Sequence, residues 1–491
     1  MKISKTISII LISACVLFSM AACQGPGESG ANNSSKAVSA TDSNTSVTSE
    51  ETTDSGSNVA SSESTKSAPG NSNAGTSSTK TASTTSGIKI DMKALRGTTV
   101  KMLLWRELTA EEVTRINKFK QETGISIVSE SVSTSAYTAK LAAKVSASES
   151  PDIAIISTDT KTQGAFPLGA ASLFQPISVT GQDLTDGKIW DIGSMKQMML
   201  KNQYYAFIAN NAWYNCGSIV MYNKDILDEC GADDPYALWK AGNWNWDTMK
   251  SIALKVYDYG QINGSNYSGI GQQAPKSPDF GRYLMSSTGS DFVSYNGKTF
   301  STNVSDSNVI KAWTFHAELK ESKAFNDSAD ANIFFQKKVA LYSTNLWAMK
   351  LDGGQIFHCN FTVNCVPFPS PSGAEKIVPG NPNCFGIPKG AKNEVGAGVF
   401  IKYFVDPANG VDYATLTGHA ASREVYEYLS APSTKKSIPY SGGALGYTNL
   451  ANLKKLTSAL TATSSSQVRT VLQQYKAFID NSVDKINKVI G

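Results

Sequence analysis

Histidine is almost missing from this chain: among 491 residues there are three, His316, His358 and His419, widely separated. The seven cysteines form no Cys-x-x-Cys pair. Together these exclude a zinc site of ordinary ligand spacing, so no metal and no cofactor is expected. Charge of one sign is scarce as well. A formal net charge of +4, with no basic cluster interleaved with aromatics, excludes nucleic acid as the expected partner. Catalytic signatures are absent: there is no Gly-x-Ser-x-Gly, no Gly-x-x-x-x-Gly-Lys, no His-Glu-x-x-His and no EF-hand loop. Ser433-Thr-Lys-Lys436 fits Ser-x-x-Lys without its Lys-Thr-Gly and Ser-Asp-Asn companions, and reads as chance in a chain rich in Ser and Lys. No internal repeat is visible. Past the N-terminus no run is apolar enough to span a bilayer.

The N-terminus does carry a short apolar run. Lys2 and Lys5 precede Ile7–Phe18, the length of a signal-peptide core, and Met20-Ala21-Ala22-Cys23 follows. Small residues ahead of a Cys resemble a bacterial lipobox, which implies cleavage before Cys23 and lipid attachment to its sulfur; the alternative is an ordinary secretory signal with an incidental Cys. On the lipobox reading the mature protein is membrane-anchored on the extracytoplasmic face through lipid and not inserted. From Gln24 to Gly87 the chain is Ser, Thr, Asn, Gly and Ala with scattered charges and no aromatic. Such a segment buries too little to offset its ordering entropy. As a flexible tether it spans on the order of 45 Å. With Cys15 leaving in the signal and Cys23 lipidated, Cys216, Cys230, Cys359, Cys365 and Cys384 remain, an odd number that leaves at least one free.

The remaining roughly 400 residues exceed a single-core domain. Val100–Leu104 reads as a buried strand, Thr109-Ala-Glu-Glu112 as a capping box opening a helix closed by Gly124, Ile125–Val132 as a second strand, Tyr137–Val145 as a second helix and Ile153–Ile156 as a third strand. This β-α-β-α-β order predicts a parallel sheet, whose ligands sit beyond the strands' carboxyl ends. Trp105, Arg106 and Glu107 then share an edge with Thr158, Asp159 and Thr160. Trp105 is either strand core or a ligand platform; Asp159 is either a helix cap or a hydroxyl acceptor. Further on, Ser218–Tyr222 reads as a strand, Tyr295-Asn-Gly-Lys298 as a two-residue hairpin turn, and Asp306–Glu321 as a helix turning Val309, Trp313 and Phe315 or His316 inward. Phe361–Pro367 reads as a return crossing, and Val395–Phe404, Val425–Leu429, Leu450–Leu460 and Val468–Ile490 as helices.

The middle of the chain is rich in aromatics and amides. Asn210, Asn211, Trp213 and Tyr214 separate two apolar runs, then come Tyr222-Asn-Lys-Asp225 and Asn245-Trp-Asp247, with Trp244 just before. Large aromatics in irregular connections must cover either a core or a ligand. This stretch resembles the extracellular solute-binding proteins of sugar ABC transporters (family 1), in which a strand crosses between lobes before a Tyr-Asn-Lys-Asp block and a helix introduced by Thr-Trp-Asp; Asn replaces the usual Thr here. Phe334-Phe-Gln-Lys-Lys-Val-Ala-Leu341 with Trp347 is similar to the family's Gly-Lys-x-Ala-Met block, with Lys337 in place of Gly and Leu341 in place of Met. Cys384-Phe-Gly-Ile-Pro-Lys-Gly-Ala-Lys392 is similar to its Ile-Pro-Lys-Gly-x-Lys-Asn turn.

The resemblance, which covers nearly all of 98–490, implies a periplasmic-binding-protein-like α/β fold: two α/β lobes, a multi-crossing hinge and a cleft. It divides the chain into a signal (1–22), a lipidated linker (23–90), lobe 1 (91–214), lobe 2 (215–365), lobe 1 again (366–422) and lobe 2 again (423–491). It implies that Trp347 stacks on a sugar and that Asn345, ahead of it, bonds a hydroxyl or caps the helix. Ser441-Gly-Gly443 is read as a connecting loop lining the cleft. The expected ligand-binding set is Trp105, Glu107, Asp159, Trp213, Tyr214, Trp244, Asn345, Trp347 and Ser441, with no catalytic residue. Trp246 is read as core. The implied role is a non-enzymatic, monomeric binding lipoprotein that captures an oligosaccharide for the transmembrane subunits of an ABC permease. The competing readings are a surface glycan hydrolase using Glu107 and Asp159 as its carboxylate pair, and a solute-binding module for another ligand, such as a peptide or polyamine, or for a sensor.

Overall fold

Two sheets organise the fold, and the chain visits each more than once. The computed structural model describes residues 88–157, 173–211, 217–349, 354–409 and 420–491, all within the unit Ser77–Gly491. The signal and linker readings, Cys23, Cys216, Asp159, Trp213 and Tyr214 lie outside the described residues.

The first sheet begins with β1 (Thr99–Leu104), β2 (Ser126–Ser131) and β3 (Ile153–Ser157), connected by helices Ala110–Thr123 and Tyr137–Ser146. The first helix is set by its sequence. The Thr109 hydroxyl accepts from the Glu112 N–H at 3.2 Å while the Glu112 carboxylate accepts from the Thr109 N–H at 2.9 Å. Gly124, at φ 75°, ends the helix in a left-handed cap. β1 lies parallel to both β2 and β3, as the β-α-β-α-β order predicts. Much later in the chain β13 (Asn383–Pro388) returns antiparallel beside β3, giving the order β2-β1-β3-β13-β4, with β4 (Phe174–Gln175) and β5 (Ala206–Phe207) both paired to β13.

The second sheet has the order β11-β6-β10-β7, from β6 (Ser218–Asn223), β7 (Ser268–Gln272), β10 (Val339–Asn345) and β11 (Val363–Pro367). Every residue of β6 and β10 is buried, which explains their unbroken apolar runs. Alternate residues serve two cores: Ile219 and Met221 join one apolar cluster, Val220 and Tyr222 the other. Lys337, the residue standing where the resembled motif has Gly, takes φ 59° in the turn before β10. That left-handed geometry is why Gly suits the position.

Three expectations are corrected. Val363–Pro367 is a strand of the second sheet, paired with β6, so the crossing begins only at Phe368. The hairpin of β8 (Val293–Tyr295) and β9 (Phe300–Thr302) turns one residue later than expected, around Gly297-Lys298: the Asn296 N–H donates to the Thr299 carbonyl at 3.2 Å, and the Asn296 side chain accepts from the N–H groups of Lys298 and Thr299. Ser441-Gly442-Gly443 is no loop; it opens helix Ser441–Ala462. The crossings themselves are clipped together by a small ribbon of β12 (Val378–Pro379) parallel to β14 (Lys436–Ser437). Cys230, Cys359 and Cys365 are free thiols.

Candidate functional site: a polar cavity at the sheet edges

In the second sheet, β10 runs parallel to β7 and antiparallel to β6, so Asn345, Gln272 and Ser218 come to one edge. Helix Asp279–Ser286 follows β7 across that edge. Asp279, Arg282, Tyr283 and Ser286, spaced i, i+3, i+4 and i+7, share its outer face. They line a cavity of about 120 Å³ together with Asn345 and Gln273, and its far wall is Pro379, Gly380, Asn381 and Pro439. Asn381 in turn accepts from the Ser157 hydroxyl at 3.4 Å, at the carboxyl end of β3. The cavity therefore lies between corresponding edges of the two sheets, the place where open α/β sheets hold ligands.

The opposite face of helix Asp279–Ser286 is packed without slack. Phe280 stacks on Phe325 at 4.5 Å, and a Cβ on Gly281 would come within 2.3 Å of the Trp313 ring. Beneath lies His316, fully buried among Phe280, Trp313 and Phe325, with neither ring nitrogen hydrogen-bonded. Burial, aided by the Lys320 ammonium and opposed by Asp327, pushes its pKa down to about 3 from the usual 6.5. The sign follows: the folded chain keeps His316 neutral while the unfolded chain takes up a proton below the ordinary value. This contribution to stability is full above pH ~6.5 and is lost progressively as pH falls toward 3. Melting temperature recorded from pH 7 to 4 is expected to fall less steeply in His316→Leu than in wild type.

Asn345, 6% exposed, accepts from the Ser218 hydroxyl at 3.2 Å and donates to the Tyr283 hydroxyl at 3.0 Å. The Tyr283 ring is fixed edge-on against Phe368. Arg282 and Asp279 stand side by side at 3.5 Å. Behind them Asp291 is buried and accepts from the N–H groups of Ser441 and Phe292, both at 2.7 Å. Burial raises its pKa, against those hydrogen bonds and the nearby Arg282 charge. The wall thus offers guanidinium and amide donors and a carboxylate acceptor in close alternation, the pattern that matches hydroxyl groups.

The expected site residues are distributed unevenly. Asn345 is in the cavity wall. Trp105 is half-buried, edge-on to Tyr137 at 6.0 Å, in a small cleft with Arg106, Ile155 and Asn383. Asn381 lines the larger cavity and Asn383 this smaller cleft. Trp347 is half-buried on the turn Leu346–Met349 just after Asn345 and is not among the cavity's lining residues. Glu107 is exposed beside Arg106. Trp244 does not offer a face: it is 5% exposed and its indole N–H donates to the Pro367 carbonyl at 2.8 Å. Trp246 is core, as expected, donating to the Pro369 carbonyl. Ser441 is 1% exposed and is the first residue of a helix behind the wall, its N–H donating to the Asp291 carboxylate. Sequence reasoning missed Arg282, Tyr283 and Asp279. Their i, i+3, i+4 polar spacing after Ser277-Pro278 was the available signal. It also missed Asn381, for which only a Pro/Gly-rich loop was legible. Among the described residues no group of His, Cys, Asp and Glu is arranged to hold a metal, and no helix is long and apolar enough to cross a membrane.

The sequence profile of the bacterial extracellular solute-binding proteins matches residues 114–437. No curated protein matches the sequence. Solved structures agree in fold. The GacH receptor of Streptomyces glaucescens, solved unliganded and with acarbose, is 17% identical over 78% of this chain and 99% of its own, with TM-score 0.55. A Staphylococcus aureus extracellular solute-binding protein in complex with maltose is 11% identical over 79% and 98%, TM-score 0.57. The galacto-N-biose-/lacto-N-biose I-binding protein of a Bifidobacterium longum ABC transporter is 12% identical over 79% and 97%, TM-score 0.57. The mixed α/β architecture is that of the periplasmic-binding-protein-like fold, and the chain belongs to the family of bacterial extracellular solute-binding proteins.

Proposed function

We propose that this protein captures an oligosaccharide in the cavity between its two sheets and delivers it to an ABC permease, as a monomer anchored through lipid on Cys23. The observation that carries the reading is the cavity wall. Asp279, Arg282, Asn345 and Asn381 set acceptors and donors side by side at the meeting of two sheet edges. Charges of both signs there suit a hydroxyl-rich, uncharged ligand. Structural relatives bound to acarbose, maltose and lacto-N-biose support the ligand class. The two sheets are the cores of two lobes, with boundaries near 214, 365 and 422. At about 120 Å³ the cavity is smaller than the ~300–1,000 Å³ of ordinary ligand sites. The lobes therefore part to admit a sugar of two or more rings and shut on it, and ligand stabilises the shut form by its differential affinity.

A micromolar complex needs roughly −8 kcal/mol. Two aromatic faces, each covering about 100 Å² at ~25 cal/mol/Å², contribute around 5 kcal/mol before binding entropy. Trp105 and Trp347 are the described candidates for those faces once the lobes part; Asp159, Trp213 and Tyr214 complete the proposed site. Trp347→Ala is expected to weaken binding by about 2 kcal/mol without unfolding the protein. Calorimetric titration with the best-binding sugar checks it, and an unchanged Kd removes Trp347 from the site. The protein performs no catalysis on this reading. A thermal-shift screen over an oligosaccharide panel, with product analysis of the mixtures, tests both ligand class and absence of turnover.

A further inference from the structure

We propose that the buried Asp191–Lys436 ion pair is the positioning element of the cavity's far wall, holding Pro379–Asn381 and Pro439 to the first sheet. That wall sits on the β12/β14 ribbon, two residues per strand. Two short strands do not hold a position by themselves, since isolated two-stranded ribbons are marginal even when longer. Their placement has to come from outside. Gly380 donates to the Ser437 carbonyl at 2.8 Å, so β14 sets where Gly380 and Asn381 stand. β14 is in turn fixed by Lys436, whose side chain is 3% exposed and whose Nζ lies 2.7 Å from Asp191.

Asp191 belongs to the frame of the first sheet. Its N–H donates to the Ile208 carbonyl at 2.9 Å, immediately after β5. Its carboxylate also accepts from the Ser194 N–H at 3.0 Å and the Ser194 hydroxyl at 2.8 Å, capping helix Ile192–Gln197. Gln197, at the end of that helix, adds a second tie. It donates to the Lys436 carbonyl at 2.7 Å and accepts from the Ile438 N–H at 3.1 Å. Its own carbonyl accepts from the Tyr440 hydroxyl. An ion pair removed from water gives little net stability over a well-packed apolar pair; what it supplies is a single permitted geometry. Here that geometry ties the ribbon to the first sheet, where Asn381 also meets Ser157 of β3, while Gly380 bridges to Gly217 just ahead of β6 in the second sheet.

The decisive variant is the double substitution Asp191→Asn with Lys436→Met. It leaves no charge buried, and Asn still caps the helix. In hydrogen exchange on the full-length protein without sugar, amides of 378–381 and 436–440 are expected to exchange about tenfold faster than in wild type, with β10 unchanged. Lys436→Arg, which keeps the charge, is expected to stay near wild type. If the double variant does not fold, Asp191→Asn with Lys436→Gln, which also leaves no charge buried and keeps the helix cap, provides the same comparison. Wild-type protection at 378–381 in these variants overturns the proposal, whatever happens to the melting temperature. The consequence for ligand rests on the sugar reading above. With maltotriose as probe, the double variant's Kd is expected to rise at least about fivefold, and an unchanged Kd beside faster exchange overturns that coupling. Failure of wild type to bind any sugar would defeat the sugar reading while leaving the exchange result to decide the positioning role.

Discussion

Lys436→Met is expected to lower the stability of the folded protein by about 3–5 kcal/mol, more than any surface charge substitution. Met replaces the aliphatic stem of Lys436 well enough, so the loss is not one of packing. Asp191, 8% exposed, keeps its Ser194 hydrogen bonds but loses the ammonium that faces its carboxylate. Removing one member of a buried pair leaves the desolvation of the other uncompensated, whereas removing both does not. Urea denaturation of the single and double variants checks this: the double variant is expected to recover most of the loss. A single-variant loss below about 1 kcal/mol would mean that water reaches Asp191 in the folded state.

Trp244→Ala is expected to cost about 3–5 kcal/mol of stability while leaving the Kd of the folded fraction unchanged. Its indole fills the core and its N–H holds the Pro367 carbonyl, where the chain leaves the second sheet. Trp246 does the same two residues along, donating to Pro369 and stacking on Phe315 at 4.8 Å. The two indoles together clamp the start of the crossing that ends at Gly380 and Asn381. Denaturation and calorimetry on the same preparation separate the two effects. A loss of affinity with stability intact would return Trp244 to the ligand site.

The contrast between Trp244 and Asn345 marks how far the sequence could be read. Local signals were sufficient wherever the partner lies nearby. The Thr109–Glu112 capping box, the Gly124 stop and the unbroken apolar runs of β6 and β10 each fix their element through neighbours within a few residues or through burial on both faces. Asn345 was reached through the family resemblance, as the residue just ahead of Trp347, and it ends β10 at the sheet edge. Trp244 was not legible, because its hydrogen-bond acceptor is 123 residues away. An indole between amides looks the same whether a carbonyl or a sugar satisfies it. Ser441 misled for a similar reason. Ser-Gly-Gly is turn-like locally, but Asp291, 150 residues earlier, supplies the cap that lets a helix begin there. Arg282 and Asn381 are functional candidates only because a helix of the second sheet and a crossing segment face each other, and that pairing has no local signature. The missed residues are thus the ones whose meaning depends on the crossings, whereas β1, β2 and β3 were read from local pattern and β6, β10 and β13 with the help of the family resemblance.

The central claim is that a sugar is held between the two sheets and released intact. Its most direct test is calorimetric titration of the wild-type protein with the oligosaccharide that raises its melting temperature most, followed by analysis of the sugar recovered from the cell. The account predicts saturable binding of one sugar per protein, weakened by Arg282→Ala in the cavity wall, with all of the sugar recovered unchanged. Continuous consumption of the sugar, or a panel in which no oligosaccharide shifts the melting temperature, would contradict it.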